Sequence, residues 1–419
     1  MNIQIEKPRL GVPVSLIVDD PTPCVNPLYY FRVQVDHEAS TPHEPTIPLD
    51  FLEQFIAVSH AHGIRGKWSV IPYPAGLGSI VDAWPGCDRH ELNRWIELTR
   101  TELAPDFDIT PEILTHTLAL DLRTHRLLEQ PEHIWMAERS YDELAEYFSA
   151  GLALLKQAGF APTGITQPCY FNGSRDDYNR AALQAIRGAG GPPVTFYFID
   201  GYFEGAPFPP PEVVLLDRER GEAVVSIIDY CHDYFWPTQR PTSIGALEVV
   251  DRFITVDGSA GRLVELAQGD AWLIFVCHWQ SLYSDGTRQG LAALDEVAAR
   301  LARVHGPRLN WLTLGEIARY RAATEGCDIA LRPTDDGFEI ELQAAFDCPD
   351  FTFSVQAPAG IDHADVVLQA PGESSRPLQR DDTAEGLLSA GAWRETSAGM
   401  SFCFGLRRGR QVVKVHHRA

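Results

Sequence analysis

The chain has 419 residues, 45% hydrophobic and 22% charged, a balance that excludes a disordered protein and allows one domain of about 300 residues plus a small one. Its formal charge of −22 argues against nucleic acid or an anionic membrane as partner, because such surfaces need clustered Lys and Arg, and it favours a neutral or cationic small-molecule ligand. The eight cysteines form no close pair, no basic-then-apolar leader opens the chain, and no apolar run approaches the roughly 20 residues of a membrane span; a cytoplasmic protein with free thiols is expected, its oligomeric state unspecified.

Strands and helices alternate through the first three quarters. Val14–Val18 reads as a buried strand and 49–62 as an amphipathic helix closed by Gly63. Lys67–Ile71 is the next strand, stopped by Pro72 and Pro74. Helical spacing recurs over 91–103, 141–158 and 177–187, with a short strand at Ile165–Thr166. The compact apolar runs Val194–Ile199, Val224–Ile228 and Trp272–Cys277 are typical of buried parallel strands. A helix over 290–305, a strand at 309–312 and a helix over 314–324 complete the series. Repeated βα units of this kind predict a barrel or a doubly wound sheet. Beyond Gly326 short alternating stretches separated by Pro, Gly and Asp predict a C-terminal all-β, sandwich-like domain, with one weak helical stretch near Ala384–Ala390. The expected units are 1–325 and 326–419, meeting at a packed junction.

Four segments place chemistry at the ends of expected strands. Asp19-Asp20 ends the first strand, and two adjacent carboxylates resist joint ionisation unless a cation compensates. His116 and Asp121 follow the apolar Ile113-Leu114. Asp229, His232, Asp233 and Trp236 follow the strand ending at Ile228, and His278-Trp279-Gln280 ends the last buried run. In a parallel α/β barrel these ends share one face. Asp and His are the ligands that zinc and similar ions use in hydrolytic sites, and aromatic side chains such as Trp236 and Trp279 suit the apolar face of a sugar ring. The plainer alternatives are a core histidine at 116, a local His232–Asp233 pair, and aromatic residues engaged only in packing.

In this order the segments resemble the polysaccharide deacetylase (NodB-homology) family of the glycoside hydrolase/deacetylase superfamily. Leu16-Ile-Val-Asp19-Asp20 matches its first motif and Val276-Cys277-His278 its last. His116-Thr117 matches half of the His-Ser/Thr-x-x-His motif, with Leu120 where the second histidine belongs and Asp121 beside it. The Arg-x-Pro motif is only echoed around Thr166-Gln167-Pro168, without its arginine. The resemblance implies an α/β fold, a deacetylase-like (β/α)7-type barrel, and a divalent metal, zinc above all. It implies Asp19 as catalytic base, Asp20 and His116 as metal ligands with Asp121, His278 or His232 as third, and His278 as general acid. Gln280, Trp279, His232, Asp233 and Trp236 would face the substrate. The expected reaction is hydrolytic removal of an acyl group from a sugar or related small amide or ester. A metal-free glycoside hydrolase on the same barrel, or a non-catalytic carbohydrate-binding protein, is the alternative.

Overall fold

The computed structural model describes residues 2–239, 245–356, 364–383, 385–396 and 399–417. Two parallel sheets form the larger part. In the first, the strands Leu273–His278, Val12–Asp19, Gly66–Val70 and Phe107–Pro111 lie side by side in that order, and Leu309–Trp311 pairs with the start of Val12–Asp19. In the second, Gly164–Thr166, Val194–Gly201 and Glu222–Asp229 run parallel, and Glu212–Asp217 pairs antiparallel on the outer side. The sheets meet at two seams. At one, Glu112 bridges Thr166; at the other, the Tyr230 amide donates to the Ile274 carbonyl at 2.9 Å.

Strands of this kind bury both faces, which is why Val12–Asp19 and Leu273–His278 are almost wholly apolar until their last residues. Close approach is needed at Gly66, where a Cβ would lie 1.8 Å from the Leu16 carbonyl oxygen. Strand register then decides where the polar ends fall. Asp19 sits directly opposite His278, and Asp229 opposite Gly201, so polar residues at three strand ends collect on one edge.

Helices cover the sheets where the spacing predicts them. Leu49–His62 ends at Gly63 with φ 60°, Tyr141–Gln157 opens with a Ser140/Glu143 capping box, and Ser174 caps Arg175–Gly188. Leu314–Glu325 carries a second capping box, Thr313 with Glu316. Several elements were not expected, among them the strand Phe107–Pro111 and an antiparallel hairpin of Leu118–Asp121 with Arg126–Pro131, followed by the short helix Glu132–Ala137.

The C-terminal residues form two five-stranded sheets whose inner side chains, among them Ile340, Leu342, Phe353 and Phe402, join the main apolar core. The weak helical stretch near 384–390 is not a helix: residues 385–390 are irregular, and Ala384 lies outside the described residues. Two features tie this part to the first. Tyr320 Oη donates to the Glu6 carbonyl at 2.6 Å and accepts from the Thr352 amide at 3.2 Å. The first strand, Ile3–Ile5, pairs antiparallel with Cys348–Gln356, so a piece of the 1–325 unit completes a sheet of the 326–419 unit. No helix among the described residues is long and apolar enough to cross a membrane.

Candidate active site

A cleft of ≈ 640 Å³ opens where the strand ends collect. Asp20 leaves its strand at φ 64° and His116 sits in a loop at φ 62°, left-handed conformations that non-glycine residues adopt at a cost. The two side chains meet: His116 Nε2 lies 2.7 Å from Asp20 Oδ1 and 3.2 Å from Glu112 Oε1. One ligand atom from each of the three residues falls within 4.8 Å of the others.

Most of the remaining polar atoms of this triad are held from outside. Gln280 Nε2 donates to Asp20 Oδ2. Glu112 Oε2 accepts from the Asp20 amide and from Ser69 Oγ, each at 2.7 Å. The free donor atoms therefore converge while their partners are fixed, the arrangement by which outer-shell bonds aim ligands at a metal. Two carboxylate oxygens and one imidazole nitrogen match a catalytic divalent site with a position left open. His116 Nδ1 is the exception, buried without a partner among the described residues. Burial alone would raise the Asp20 carboxyl, but the adjacent His116 charge and hydrogen bond hold it below the usual carboxylate range. Burial likewise works against the His116 cation, yet Asp20 and Glu112 push it well above an ordinary imidazole. With two carboxylates around it the imidazole carries a proton, the place a divalent cation would take.

Asp19 faces the same cleft. The ammonium of Lys67, a side chain with no exposure, donates to Asp19 Oδ1 and, at 2.8 Å, to Thr166 Oγ1. Burial pushes the Asp19 carboxyl up and the Lys67 charge pulls against it. On the opposite side His278 Nδ1 bonds Asp233 Oδ2 at 2.8 Å, and the His278 amide donates to the same oxygen at 3.1 Å. Burial disfavours the His278 cation, but the Asp233 bond and the charges of Asp20, Asp233 and Asp19 push it up to about 10. Asp229 lies beside them, buried, with Oδ2 unpartnered among the described residues; burial and then the Asp19 charge push its carboxyl well above the normal range. Around the mouth, Phe203 stacks on His232 with centroids 3.6 Å apart and Trp236 meets His278 edge-on at 5.4 Å.

The cleft thus brings together Asp19, Asp20, His116, His232, Asp233, Trp236, His278 and Gln280. It does not include two of the expected residues. Asp121 ends the first hairpin strand, where its Oδ1 accepts the Arg123 and Thr124 amides at 2.9 Å, so it shapes a turn and ligates nothing in the cleft. Trp279 is 1% exposed and packs against Phe51, Phe55 and Trp68, a core side chain and not a substrate wall. His232 stacks on Phe203 and does not pair with Asp233, whose partner is His278.

Four residues of the site were not anticipated: Glu112, Lys67, Ser69 and Phe203. Glu112 stands four residues before His116, and Lys67 is a cation inside an otherwise buried strand, the one sequence signal that an acid waits opposite.

No family model matches the chain, and no curated protein matches it. Among solved structures it is similar to one described as a "putative alpha-L-fucosidase" from Bacteroides thetaiotaomicron, with 11% identity over 99% of this chain and 95% of that one. The TM-score of 0.35 is too low for that likeness to bear on fold or activity.

Proposed function

We propose that the chain is a metal-dependent hydrolase of the polysaccharide deacetylase type, acting on an acylated sugar or a related small amide or ester. We further propose that its two parallel sheets are parts of one (β/α)7-type barrel, a reading supported by the Glu112–Thr166 bridge and the Tyr230–Ile274 hydrogen bond at the seams. The observation that carries the function is the convergence of Asp20 Oδ1, Glu112 Oε1 and His116 Nε2 beside Asp19 and across from the His278–Asp233 pair.

On this reading Asp20, Glu112 and His116 hold a divalent ion such as zinc. When bound, the ion polarises the acyl carbonyl and lowers the pKa of water. Asp19 takes the proton from the attacking water; Lys67 fixes one of its oxygens and leaves the other for that task. Lys67 thus does what an arginine would do in the motif this chain lacks. His278 is protonated and held by Asp233, so it can give its proton to the leaving amine or alkoxide. Phe203, His232 and Trp236 line the entry and orient the substrate.

The test is elemental analysis of the purified protein before and after reconstitution with zinc, followed by acetate release from a panel of N- and O-acetylated sugars. About one equivalent of metal, with chelator-sensitive release, supports the proposal. Failure of the wild type to take up any divalent metal would sink it and leave metal-free glycosidic cleavage to be tested on the same panel.

A further inference from the structure

A ligating histidine is normally aimed by a hydrogen bond on its second ring nitrogen. Among the described residues His116 has none: its Nδ1 is buried and without a partner there. Its direction must come from the backbone, and that backbone is unusual. Leu114 at φ 31° and His116 at φ 62° are both left-handed, two non-glycine residues within three positions. A loop in that shape turns amides inward, where they need acceptors.

One side chain supplies them. Glu132, 1% exposed, receives the His116 amide on Oε2 at 2.8 Å. Its Oε1 receives the Thr115 amide at 3.1 Å and the Tyr147 hydroxyl at 2.8 Å. The Glu132 amide returns a bond to the Thr117 carbonyl at 2.9 Å, closing the loop onto the start of the Glu132–Ala137 helix. Tyr147 is anchored in turn by the Leu120 amide, which donates to its oxygen at 3.0 Å. All three groups reaching the carboxyl are donors, and among the described residues no Lys or Arg pairs with it. A buried carboxylate without such a cation is an expensive way to staple a loop.

We propose that Glu132 is the positioning residue of the metal site: by gripping the amides of Thr115 and His116 it holds the loop in its left-handed turn and points Nε2 at the oxygens of Asp20 and Glu112. Glu132 does not reach the ion or the substrate. The inference rests on the proposed metal site, and it adds that the hairpin and short helix after His116 serve to deliver this acceptor.

The experiment loads the full-length protein with Co(II), reading affinity by titration and geometry by the visible d–d bands. Glu132→Gln keeps size but offers one acceptor oxygen and an NH2 group that opposes a backbone donor. It should lower Co(II) affinity about 10- to 100-fold and shift the bands, with far-UV circular dichroism unchanged. Glu132→Asp keeps the acid one methylene short and should fall between the two; it serves if the Gln variant does not fold. Tyr147→Phe removes a bond to Glu132 but leaves both backbone grips, and should bind Co(II) within about threefold of wild type. Wild-type affinity and spectrum in the Glu132 variants would overturn the proposal, and so would a loss in Tyr147→Phe equal to that in Glu132→Gln. A wild type that binds no Co(II) would instead refute the metal reading itself.

Discussion

Lys67→Met isolates the electrostatics of the base. Lys67 is fully buried and Asp19 is 6% exposed, so the variant leaves a carboxylate without the cation bonded to it, at nearly constant side-chain volume. Breaking a buried pair from one side costs about 3–5 kcal/mol, because the surviving charge is not rehydrated. Asp19 can escape part of that by taking a proton, the direction in which burial already pushes it. Each unit by which its folded pKa lies below the working pH adds about 1.4 kcal/mol to the cost of protonation. A carboxyl with its folded pKa raised is at home protonated, so its penalty grows as pH rises. Lys67→Met should therefore be several kcal/mol less stable at pH 8 and closer to wild type at pH 5. The double variant Lys67→Met/Asp19→Asn, with neither charge, should recover to within about 1–2 kcal/mol of wild type. Urea unfolding followed by tryptophan fluorescence reads this directly, since Trp68 is buried next to Lys67 in the same strand. A single variant within about 1 kcal/mol of wild type at pH 8, or a double variant no more stable than the single one, would refute the argument.

Further expectations concern the rest of the cleft and the residues the structure places outside it. In metal-free protein the His278 Cε1–H resonance should titrate near 10, and in Asp233→Asn it should move at least about one unit toward 6.5; an unmoved midpoint would mean Asp233 does not set it. Because its folded pKa is raised, the stability contributed by charged His278 is fully present below about pH 6.5 and is lost as the pH climbs through about 10. Asp121→Ala should retain wild-type zinc stoichiometry while Glu112→Ala loses it, and the reverse would restore Asp121 as the ligand. Trp279→Ala should cost about 3–5 kcal/mol in chemical denaturation, as expected for an emptied core site. Trp236→Ala, at a side chain 37% exposed on the rim, should leave stability within about 0.5 kcal/mol and weaken substrate affinity instead.

What the sequence disclosed were the groups at the ends of apolar runs. Asp19, Asp20 and His278 were legible because a buried strand that stops in acids or a histidine has few other uses for them. Glu112 was not, because the four-residue step to His116 is not a helical turn: the loop between them passes through a left-handed Leu114, and no periodicity rule brings residues together that way. Asp121 looked like a neighbour of His116 until the hairpin appeared, since an antiparallel excursion carries the chain away from the strand end within a few residues. Trp279 stood between two cleft residues and yet points into the core: His278 and Gln280 face the cleft while the side chain between them turns the other way, onto Phe51, Phe55 and Trp68. The βα alternation and the change of texture after Gly326 were readable from pattern alone. The sharing of strands between the two units was not, for pairing between positions some 350 residues apart leaves no local mark.

That shared strand has a practical consequence for anyone dividing the molecule. Cys348–Gln356 is an interior strand only because Ile3–Ile5 lies along its flank. Residues 326–419 expressed alone would present that flank as a bare edge, its amides and carbonyls open to the next copy, and edge-to-edge association is the usual fate of such a strand. A separable β-unit would need residues 2–10 grafted beside it by circular permutation. In the intact chain the same ladder makes the last sheet wait for the first residues, so its closure is a long-range event and a slow one.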